Sequence, residues 1–306
     1  FQNLDIVRTL LPKYLLVLSG DHVYKMDYGA LLAHHADKGA EMTVACVGVS
    51  LEDAKAFGVM SVADDFRVLS FDEKPADPRP MPGATDIALA SMGNYVFDTD
   101  FLFRKLEEDA ADPTSRHDFG HDIIPAIIED HRVFAYPFLD QETGRQPYWR
   151  DVGTIDAFWE ANMELVAVEP ELNLYDTDWP IRTYHRQLPS AKFVFRDAGR
   201  EGKALDSAVS AGCVISGSTV VDSLLFSNVR VHSYSEIDAS VLLPEVEVGR
   251  NCRISHAVID RGCRVPSGTI IGEDPVADAQ RFRVTERGIV LVTAGMFGQD
   301  PTTSQT

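Results

Sequence analysis

Apolar runs that end in short polar turns mark the first half of the chain. Residues 15–18 are continuously apolar, which predicts a parallel strand buried on both faces, and Ser19 and Gly20 end it. Similar runs predict strands at 42–49, 58–62, 68–71 and 94–97. Helical spacing of apolar positions predicts helices at 1–10, 28–37, 51–56, 100–109, 115–125 and 155–166. Strands that alternate with helices indicate an α/β domain.

The pattern changes after residue 207, where single aliphatic residues recur every five or six positions. This spacing favours a parallel β-helix in which each short strand contributes one inward side chain. A β-sandwich would need alternating runs of five or more residues, and this stretch of the sequence has none. A six-residue repeat resembles that of the left-handed parallel β-helix. This fold is an exception to the rule that connections between parallel strands are right-handed. The predicted inward residues are Val214, Val220, Leu225, Val231, Ile237, Leu243, Val248, Ile254, Ile259, Val265 and Ile271.

Prolines between these two patterns indicate a domain boundary. Pro170, Pro180 and Pro189 interrupt regular structure, while the aromatic residues around them suggest a segment that packs along both neighbours. We therefore predict an α/β domain at residues 1–169 and a linker at 170–206. The β-helix and its C-terminal tail then occupy residues 207–306.

Composition narrows the class of protein. A chain of 306 residues with 45% hydrophobic and 25% charged residues is typical of a soluble protein with about two domains. Its net charge of −19 opposes binding to nucleic acid. The sequence lacks an apolar run of the roughly 20 residues that span a membrane, so we expect a cytoplasmic protein. The cysteines lack metal-binding spacing and are predicted to be buried thiols: Cys46, Cys213, Cys252 and Cys263.

Charged residues follow two predicted strands. Asp21 follows the run at 15–18 after Ser19 and Gly20, and a carboxylate at this edge of an α/β sheet can hold a cation beside phosphate groups. A plain turn is the commoner role for a Gly-Asp pair. Glu73 and Lys74 end another strand before Pro75, so Lys74 can bind phosphate while Glu73 accepts sugar hydroxyls. A solvated Glu-Lys pair is the structural alternative.

Three further stretches carry candidate binding residues. Ser91 and Tyr95 flank Gly93 and can contact a sugar, although Tyr95 also suits a core position. Asp118 lies near the start of a predicted helix, where it can act as a cap. Trp149, Arg150 and Asp151 form an aromatic and charged loop before the helix at 155–166, where Trp149 can line a pocket. Asp151 alone is more often a structural cap.

Eight motifs in this order resemble those of bacterial glucose-1-phosphate adenylyltransferases, also called ADP-glucose pyrophosphorylases. The resemblance covers essentially the whole chain, and ASMGNYVFDTD is a long, specific part of it. It implies a Rossmann-like nucleotidyltransferase domain with a mixed, mostly parallel sheet, followed by a left-handed parallel β-helix. The motifs are LSGDHVYKMDY, AFGVM, FDEKP, ASMGNYVF, HDFGHDIIP, YWRDVGT, NLYDTDWPIRTY and LLPEVEVG.

The resemblance also implies a reaction, the first committed step of glycogen synthesis. ATP and α-D-glucose 1-phosphate give ADP-glucose and pyrophosphate, with Mg²⁺ as cofactor. By similarity, Asp21 and Asp151 hold Mg²⁺, and Lys74 binds the sugar phosphate. The implied sugar-site residues are Gly58, Glu73 and Ser91, with Tyr95, Asp118 and Trp149 as weaker candidates.

Regulation and assembly are implied in the same way. Members of this family are activated by sugar phosphates and often inhibited by AMP, and Glu245 and Arg261 match positions that contact AMP. Thr9 stands where relatives place an arginine. The family also implies a homotetramer. Its glycine-rich triphosphate loop would precede Phe1, so we expect that these 306 residues alone do not catalyse the reaction.

Two alternatives stay open at this stage. A hexapeptide acyltransferase shares the β-helix and needs a catalytic histidine in a groove; His232 and His256 are available but lack companion residues. A regulatory paralogue would keep the fold and bind sugar phosphate without turnover. The presence of Asp21, Lys74 and Asp151 argues against it.

Overall fold

The computed structural model describes residues 4–10 and 12–300. Their contacts divide the chain into two compact units, with the division between Trp149 and Arg150. Part of the predicted helix at 1–10 lies outside the described residues, and the observed helix is Leu4–Arg8. Among the described residues, no helix has both the length and the apolar character needed to cross a membrane.

The first unit is an α/β domain built on one large sheet. The strands of this unit are β1 (Tyr14–Val17), β2 (His22–Tyr24), β3 (Met42–Ser50), β4 (Gly58–Val62), β5 (Val68–Glu73), β6 (Ile87–Asp98) and β7 (Val133–Pro137). Strand β8 (Trp149–Asp151) lies at the division, and β2 and β8 are not part of the large sheet. Its helices are α1 (Leu4–Arg8), α2 (Tyr28–Asp37), α3 (Thr99–Ala111) and α4 (Ile124–Ile127). A 3₁₀ turn at Asp53–Ala56 and a π-helical turn at Phe119–Ile123 complete it.

The sheet is mixed, as predicted, but its described strands pair mainly in antiparallel fashion. The strand order is β5-β4-β6-β3-β7, and β1 also pairs with β6. Only β3 and β7 pair in parallel within the described part of this sheet. The reason is that β6 lies between β3 and β4 and runs opposite to both, while β4 and β5 form a hairpin.

Two strands differ from their predictions. The run at 15–18 is not a parallel strand buried on both faces: β1 is antiparallel to β6, and all four of its residues are half-buried. The strand predicted at 94–97 is instead the last third of β6, which has 12 residues. Polar Ser91 and Asn94 interrupt its apolar pattern, yet both are buried. Sequence hydrophobicity alone therefore underestimates the length of this strand.

Both faces of β3 are buried, which explains its unbroken apolar sequence. Val44 and Cys46 belong to a core on one side of the sheet, and Ala45 and Val47 to a core on the other. Helix α2 covers the second side through Leu31. The structure thus gives β3 the environment that a continuous apolar run indicates.

The second unit is a parallel β-helix with three sheets. The first sheet stacks Lys192–Val194, Val214–Ser216, Arg230–Val231, Glu247–Val248 and Arg264–Val265. The second stacks Lys203–Leu205, Thr219–Val221, Glu236–Asp238, Arg253–Ser255 and Ile270–Ile271. The third stacks Ala208–Val209, Leu224–Leu225, Val241–Leu242, Ala257–Ile259 and Val290–Val292, with Arg283–Val284 antiparallel at its end. A two-stranded pair, Arg196–Asp197 and Arg200–Glu201, a helix at Pro275–Ala279 and a 3₁₀ turn at Ala294–Phe297 complete the unit.

Residues in the same position of successive coils lie about three hexads apart in sequence. Val220 pairs with Ile237, which pairs with Ile254, and all three are buried. Most of the predicted inward residues are confirmed by their burial in this core. Val214 and Leu243 are exceptions, because their neighbours Ile215 and Leu242 are the fully buried residues. At both places adjacent apolar residues made the register ambiguous.

Serine hydroxyls connect the coils at buried corners. Ser218 Oγ accepts a hydrogen bond from the backbone N–H of Ser235 at 3.1 Å, and Ser235 Oγ accepts one from Cys252 N–H at 3.0 Å. Each hydroxyl also donates to a backbone carbonyl. Cys252 continues the series, since its thiol donates to Pro266 O. This hydrogen bond gives the buried Cys252 a structural reason to occupy this corner.

The third sheet has an apolar outer face, which a helix covers. Val241 and Val258 on this sheet pack with Phe158 and Trp159 of α5 (Ile155–Val166), and Trp159 Nε1 donates to Ala239 O at 2.8 Å. Helix α5 therefore packs with the β-helix, although the predicted domain boundary places it before the linker. The coils also begin at Lys192 rather than at 207, because the strand there already pairs with the next coil.

We expect Ser235→Ala to destabilise the β-helix by about 1–3 kcal/mol, because it leaves the buried N–H of Cys252 without its acceptor. Ser70→Ala is the matched control: the Ser70 hydroxyl is buried and has no hydrogen-bond partner in the described residues, so its loss should not destabilise. Thermal unfolding of both variants tests this difference. Equal melting temperatures would contradict the role assigned to Ser235.

Candidate active site

Glu73 and Lys74 lie at the end of β5, where the strand turns away from the sheet. The Lys74 backbone N–H donates to Phe57 O at 3.0 Å, and its φ is 48°. This left-handed conformation is uncommon for a residue other than glycine, and such residues cluster at functional sites. Glu73 is thus the last residue of the strand, and Lys74 follows it where the chain leaves the sheet.

Glu73 has an exposed side chain whose environment still disfavours its charge. Partial burial raises the pKa of Glu73, the Asp118 carboxylate raises it further, and Lys74 opposes both. A carboxylate that accepts sugar hydroxyls would gain partners that the unliganded protein does not supply. Glu73 therefore has the raised pKa that is common at functional sites, and it stays a candidate binding residue.

Gly58 lies directly opposite Glu73 in the β4–β5 hairpin. A Cβ atom at position 58 would lie 2.3 Å from Phe71 Cζ and 2.9 Å from Glu73 Oε2. Only glycine fits beside this ring and this carboxylate. The predicted site residue Gly58 therefore has a clear steric reason.

Ser91 and Tyr95 lie on β6, and one hydrogen bond joins their side chains. Ser91 Oγ donates to the Tyr95 hydroxyl at 3.4 Å and accepts from Gly93 N–H at 3.1 Å. Burial raises the pKa of Tyr95, and the nearby Glu73 carboxylate adds to this effect. Tyr95 also packs against the ring of Phe119, with 5.7 Å between centroids. Tyr95 is thus both a core residue and a neighbour of the Glu73 carboxylate.

Asp118 acts as the cap of the π-helical turn at Phe119–Ile123. Its Oδ1 accepts from His121 N–H at 2.8 Å, while Asp122 Oδ2 accepts from the N–H groups of Arg116 and Asp118. The helix predicted at 115–125 is therefore wrong in its first part, because these side-chain bonds hold a turn before the helix. The turn brings Phe119, which the sequence did not single out, to Tyr95.

Asp21 lies in the turn after β1 and is 61% exposed. Its Oδ1 accepts a hydrogen bond from Ser19 Oγ at 2.6 Å, which lowers the pKa of Asp21. The Ser19 N–H in turn donates to Oδ1 of the buried Asn94 on β6. Asp21 is thus an ionised, accessible carboxylate on a turn that is fixed to the sheet.

Trp149 belongs to the core of the first unit. Its ring is 7% exposed and makes edge-to-face contacts with His22 at 5.1 Å and Phe57 at 5.3 Å. These contacts indicate that Trp149 stabilises the core. The predicted role of Trp149 in lining a pocket stays a prediction. His22 follows Asp21 directly, so Trp149 also helps to fix the turn that carries this carboxylate.

Asp151 falls in the second unit, close to the start of α5. Its Oδ1 accepts from Gly153 N–H at 2.7 Å, and Arg150 pairs with Glu164 at 2.9 Å. The next turn is capped by Thr154, whose hydroxyl accepts from Ala157 N–H. Thr154, rather than Asp151, is therefore the cap of this helix.

The carboxylates proposed as metal ligands suit a magnesium ion better than a metal that is bound by protein side chains alone. Mg²⁺ usually binds one or two carboxylates and fills its remaining positions with water and substrate phosphates. Asp21 supplies an exposed ionised carboxylate of this kind. Within residues 4–10 and 12–300, no three His, Cys, Asp or Glu side chains form a metal-binding group.

The predicted effector residues lie on the β-helix. Glu245 occupies a corner with φ of 68°, where the equivalent corners carry Asn228 and Gly262, and its carboxylate pairs with Arg186 at 2.8 Å. It borders a cavity of about 240 Å³ that is also lined by Arg230 and by Arg264. Arg261 is exposed at the next corner.

The histidines considered for acyl transfer have structural partners. His232 Nε2 lies 2.8 Å from Glu247 Oε1, and His256 stacks on Trp159 with 5.8 Å between the ring centroids. His232 follows a strand of the first sheet, Arg230–Val231, whereas His256 follows a strand of the second sheet, Arg253–Ser255. Neither arrangement favours the acyltransferase alternative.

Comparison with known families agrees with this architecture. The family model described as nucleotidyl transferase matches residues 2–167, and the model described as GlmU-like, C-terminal hexapeptide matches residues 189–292. The protein is thus a nucleotidyltransferase with a C-terminal hexapeptide β-helix, which confirms the predicted fold class.

Similar curated proteins identify the family within this class. The chain is 60% identical to glucose-1-phosphate adenylyltransferase 2 of Pseudoalteromonas atlantica over 300 residues, which cover 97% of this chain and 71% of the relative. It is 59% identical to the glucose-1-phosphate adenylyltransferase of Alteromonas mediterranea, covering 98% and 70% of the two chains. The corresponding protein of Nitrosococcus oceani is 58% identical, with 98% and 71% covered. The chain belongs to the glucose-1-phosphate adenylyltransferase family.

We expect Glu73→Gln to melt at the same or a higher temperature than the parent protein at pH about 7, because burial penalises the charged form. The pKa of Glu73 is raised on folding, so this penalty is present above that pKa and disappears as the pH falls through it. The gain in melting temperature should therefore vanish near pH 3.5, below the ordinary glutamate pKa of about 4.3. Asp72→Asn, an exposed neighbour on β5, serves as the control. A clear loss of stability in Glu73→Gln at neutral pH would contradict this view.

Proposed function

We propose that this protein transfers an adenylyl group from ATP to α-D-glucose 1-phosphate, forming ADP-glucose and pyrophosphate for glycogen synthesis. The observation that carries the proposal is about 60% identity to a glucose-1-phosphate adenylyltransferase over nearly the whole chain. Glu73 and Lys74 support it, because they offer an acceptor and a cation at one strand end.

The reaction is an in-line displacement at the α-phosphorus of ATP. A phosphate oxygen of glucose 1-phosphate forms the new P–O bond, and the bond to the β-phosphate oxygen breaks to release pyrophosphate. Such a reaction needs positioning and charge neutralisation rather than a covalent nucleophile. Lys74 supplies positive charge to the sugar phosphate in this proposal.

Mg²⁺ would bind Asp21 and Asp151 and, when bound, would neutralise charge on the triphosphate. The support for Asp21 is its exposed and ionised carboxylate. The assignment of Asp151 rests on the resemblance; its Oδ1 accepts a hydrogen bond from Gly153 N–H.

Glucose would bind in the region of Glu73, with its hydroxyls donating to that carboxylate. Ser91 and Tyr95 would contribute hydroxyl groups, and Gly58 would leave room for the Phe71 ring and the Glu73 carboxylate beside the sugar. Asp118 has one oxygen in its cap, so it would contact the sugar through the other. Trp149 would act mainly by packing.

Regulation by sugar phosphates and AMP is part of the proposal, with AMP at Glu245 and Arg261. Glu245 is paired with Arg186, so a ligand there would replace or share this ion pair. We further propose a cytoplasmic homotetramer, as the family resemblance implies. The preference for ATP over other nucleotides has the same basis.

Pyrophosphate release by the full-length polypeptide that carries this sequence tests the reaction. With glucose 1-phosphate and Mg²⁺, we expect release with ATP and far less with UTP, CTP or dTTP. Asp21→Asn and Asp151→Asn should each abolish release if both carboxylates hold the metal. Asp64→Asn, in an exposed turn, should retain it. Glucose 1-phosphate binding without release for any nucleotide would support a regulatory paralogue instead.

Lys74→Ala tests the phosphate contact separately. Loss of a hydrogen bond to a charged group costs about 1.5–3 kcal/mol, so the KM for glucose 1-phosphate should rise by about 10- to 150-fold. The KM for ATP should change little. An equal rise for both substrates would contradict a contact specific to the sugar phosphate.

A further inference from the structure

Gly120 has no evident backbone reason to be glycine. It lies in the π-helical turn at Phe119–Ile123, and its φ is not among the positive values of the described residues. Glycine in a helical segment costs about 1 kcal/mol relative to alanine. A steric requirement at this position must therefore offset that cost.

The requirement is the carboxylate of Glu73. A Cβ atom at position 120 would lie 2.5 Å from Glu73 Oε2 and 3.2 Å from its Cδ, and 3.4 Å from Phe71 Cε1. The Cβ of an alanine at Gly58 would lie 2.9 Å from the same Oε2. Two glycines on separate elements thus approach one oxygen atom.

From this geometry we propose that Gly120 is a positioning residue that sets where the Glu73 carboxylate meets the hydroxyl groups of the sugar. The inference rests on the proposed function, since it assigns Gly120 to the same sugar site. Among the described residues, no hydrogen bond or ion pair is recorded for the Glu73 oxygens. Packing against the glycines and the Phe71 ring therefore holds the carboxylate, and its lone pairs stay available for a ligand.

The turn that carries Gly120 is itself fixed by charged side chains. Asp118 accepts from His121 N–H, and Asp122 accepts from the N–H groups of Arg116 and Asp118. Short π-helical turns are frequent at functional sites. The Gly120 backbone beside Glu73 is thus fixed by the same turn that places Asp118 and Phe119 near the site.

Gly120→Ala is a cleaner probe than Gly58→Ala. The nearest atom to a new Cβ at 120 is the end of a flexible side chain, which can move without disturbing the core. At 58 the nearest atom belongs to the buried Phe71 ring, so that variant would disturb folding. Substitution at 120 should shift the Glu73 carboxylate and leave the melting temperature nearly unchanged.

The test is calorimetric binding of glucose 1-phosphate to the full-length polypeptide, together with steady-state kinetics. For Gly120→Ala we expect at least a 10-fold rise in the Kd and KM for glucose 1-phosphate, with little change in the KM for ATP. Gly295→Ala is the control, because its Cβ would have no atom within 4 Å. It should bind like the parent protein.

A double-mutant comparison identifies Glu73 as the group through which Gly120 acts. Glu73→Asp shortens the side chain and removes the atom that the new Cβ would meet. We expect Gly120→Ala to add no further loss of affinity to Glu73→Asp, so the double variant should bind like Glu73→Asp alone. Losses that multiply would overturn the inference, because Gly120 would then act independently of Glu73.

The remaining outcomes separate this inference from the proposed function. If the parent protein binds glucose 1-phosphate and Gly120→Ala binds it equally well, the positioning role is wrong while the proposed function stands. If the parent protein does not bind glucose 1-phosphate, the proposed function fails and this inference fails with it. A rise in KM for glucose 1-phosphate alone would support the positioning role.

Discussion

The antiparallel pairing of β6 with three neighbouring strands is the constraint on which the first unit depends. Its hydrogen bonds to β1, β3 and β4 fix the sheet, and the β4–β5 hairpin then places Gly58 opposite Glu73. The buried Asn94 on the same strand accepts from Ser19 N–H and so fixes the turn that carries Asp21. Gly58, Glu73 and Asp21 are therefore arranged around one strand, although they are far apart in sequence.

Glu73 shows how this arrangement affects the ionisation of one carboxylate. Partial burial raises the pKa of this carboxylate, and the Glu73 oxygens form no hydrogen bond or ion pair within residues 4–10 and 12–300. Burying a charge without partners is unfavourable, and a ligand that donates hydrogen bonds relieves this cost on binding. Glycine at positions 58 and 120 makes the necessary space. This combination lowers stability, and it is the arrangement that the proposed sugar site requires.

The β-helix depends on a different constraint, the repetition of equivalent corners. Serine hydroxyls satisfy buried N–H groups from coil to coil, and left-handed residues turn the chain at each corner. Asn228 and Gly262 suit one such corner, whereas Glu245 between them accepts an uncommon conformation. Glu245 forms an ion pair with Arg186 and borders a cavity that is lined by charged side chains. The repeat itself does not require these charges.

The sequence by itself determined what depends on local pattern. It predicted α2 and α5 with their observed bounds, the repeat of the β-helix and the strand end that carries Glu73 and Lys74. Tertiary structure alone decided the antiparallel direction of β1, the full length of β6 and the turn that brings Phe119 and Gly120 to the site. The physical reason is that periodicity and capping act between neighbours along the chain. Strand direction, by contrast, and the space around a side chain depend on residues distant in sequence.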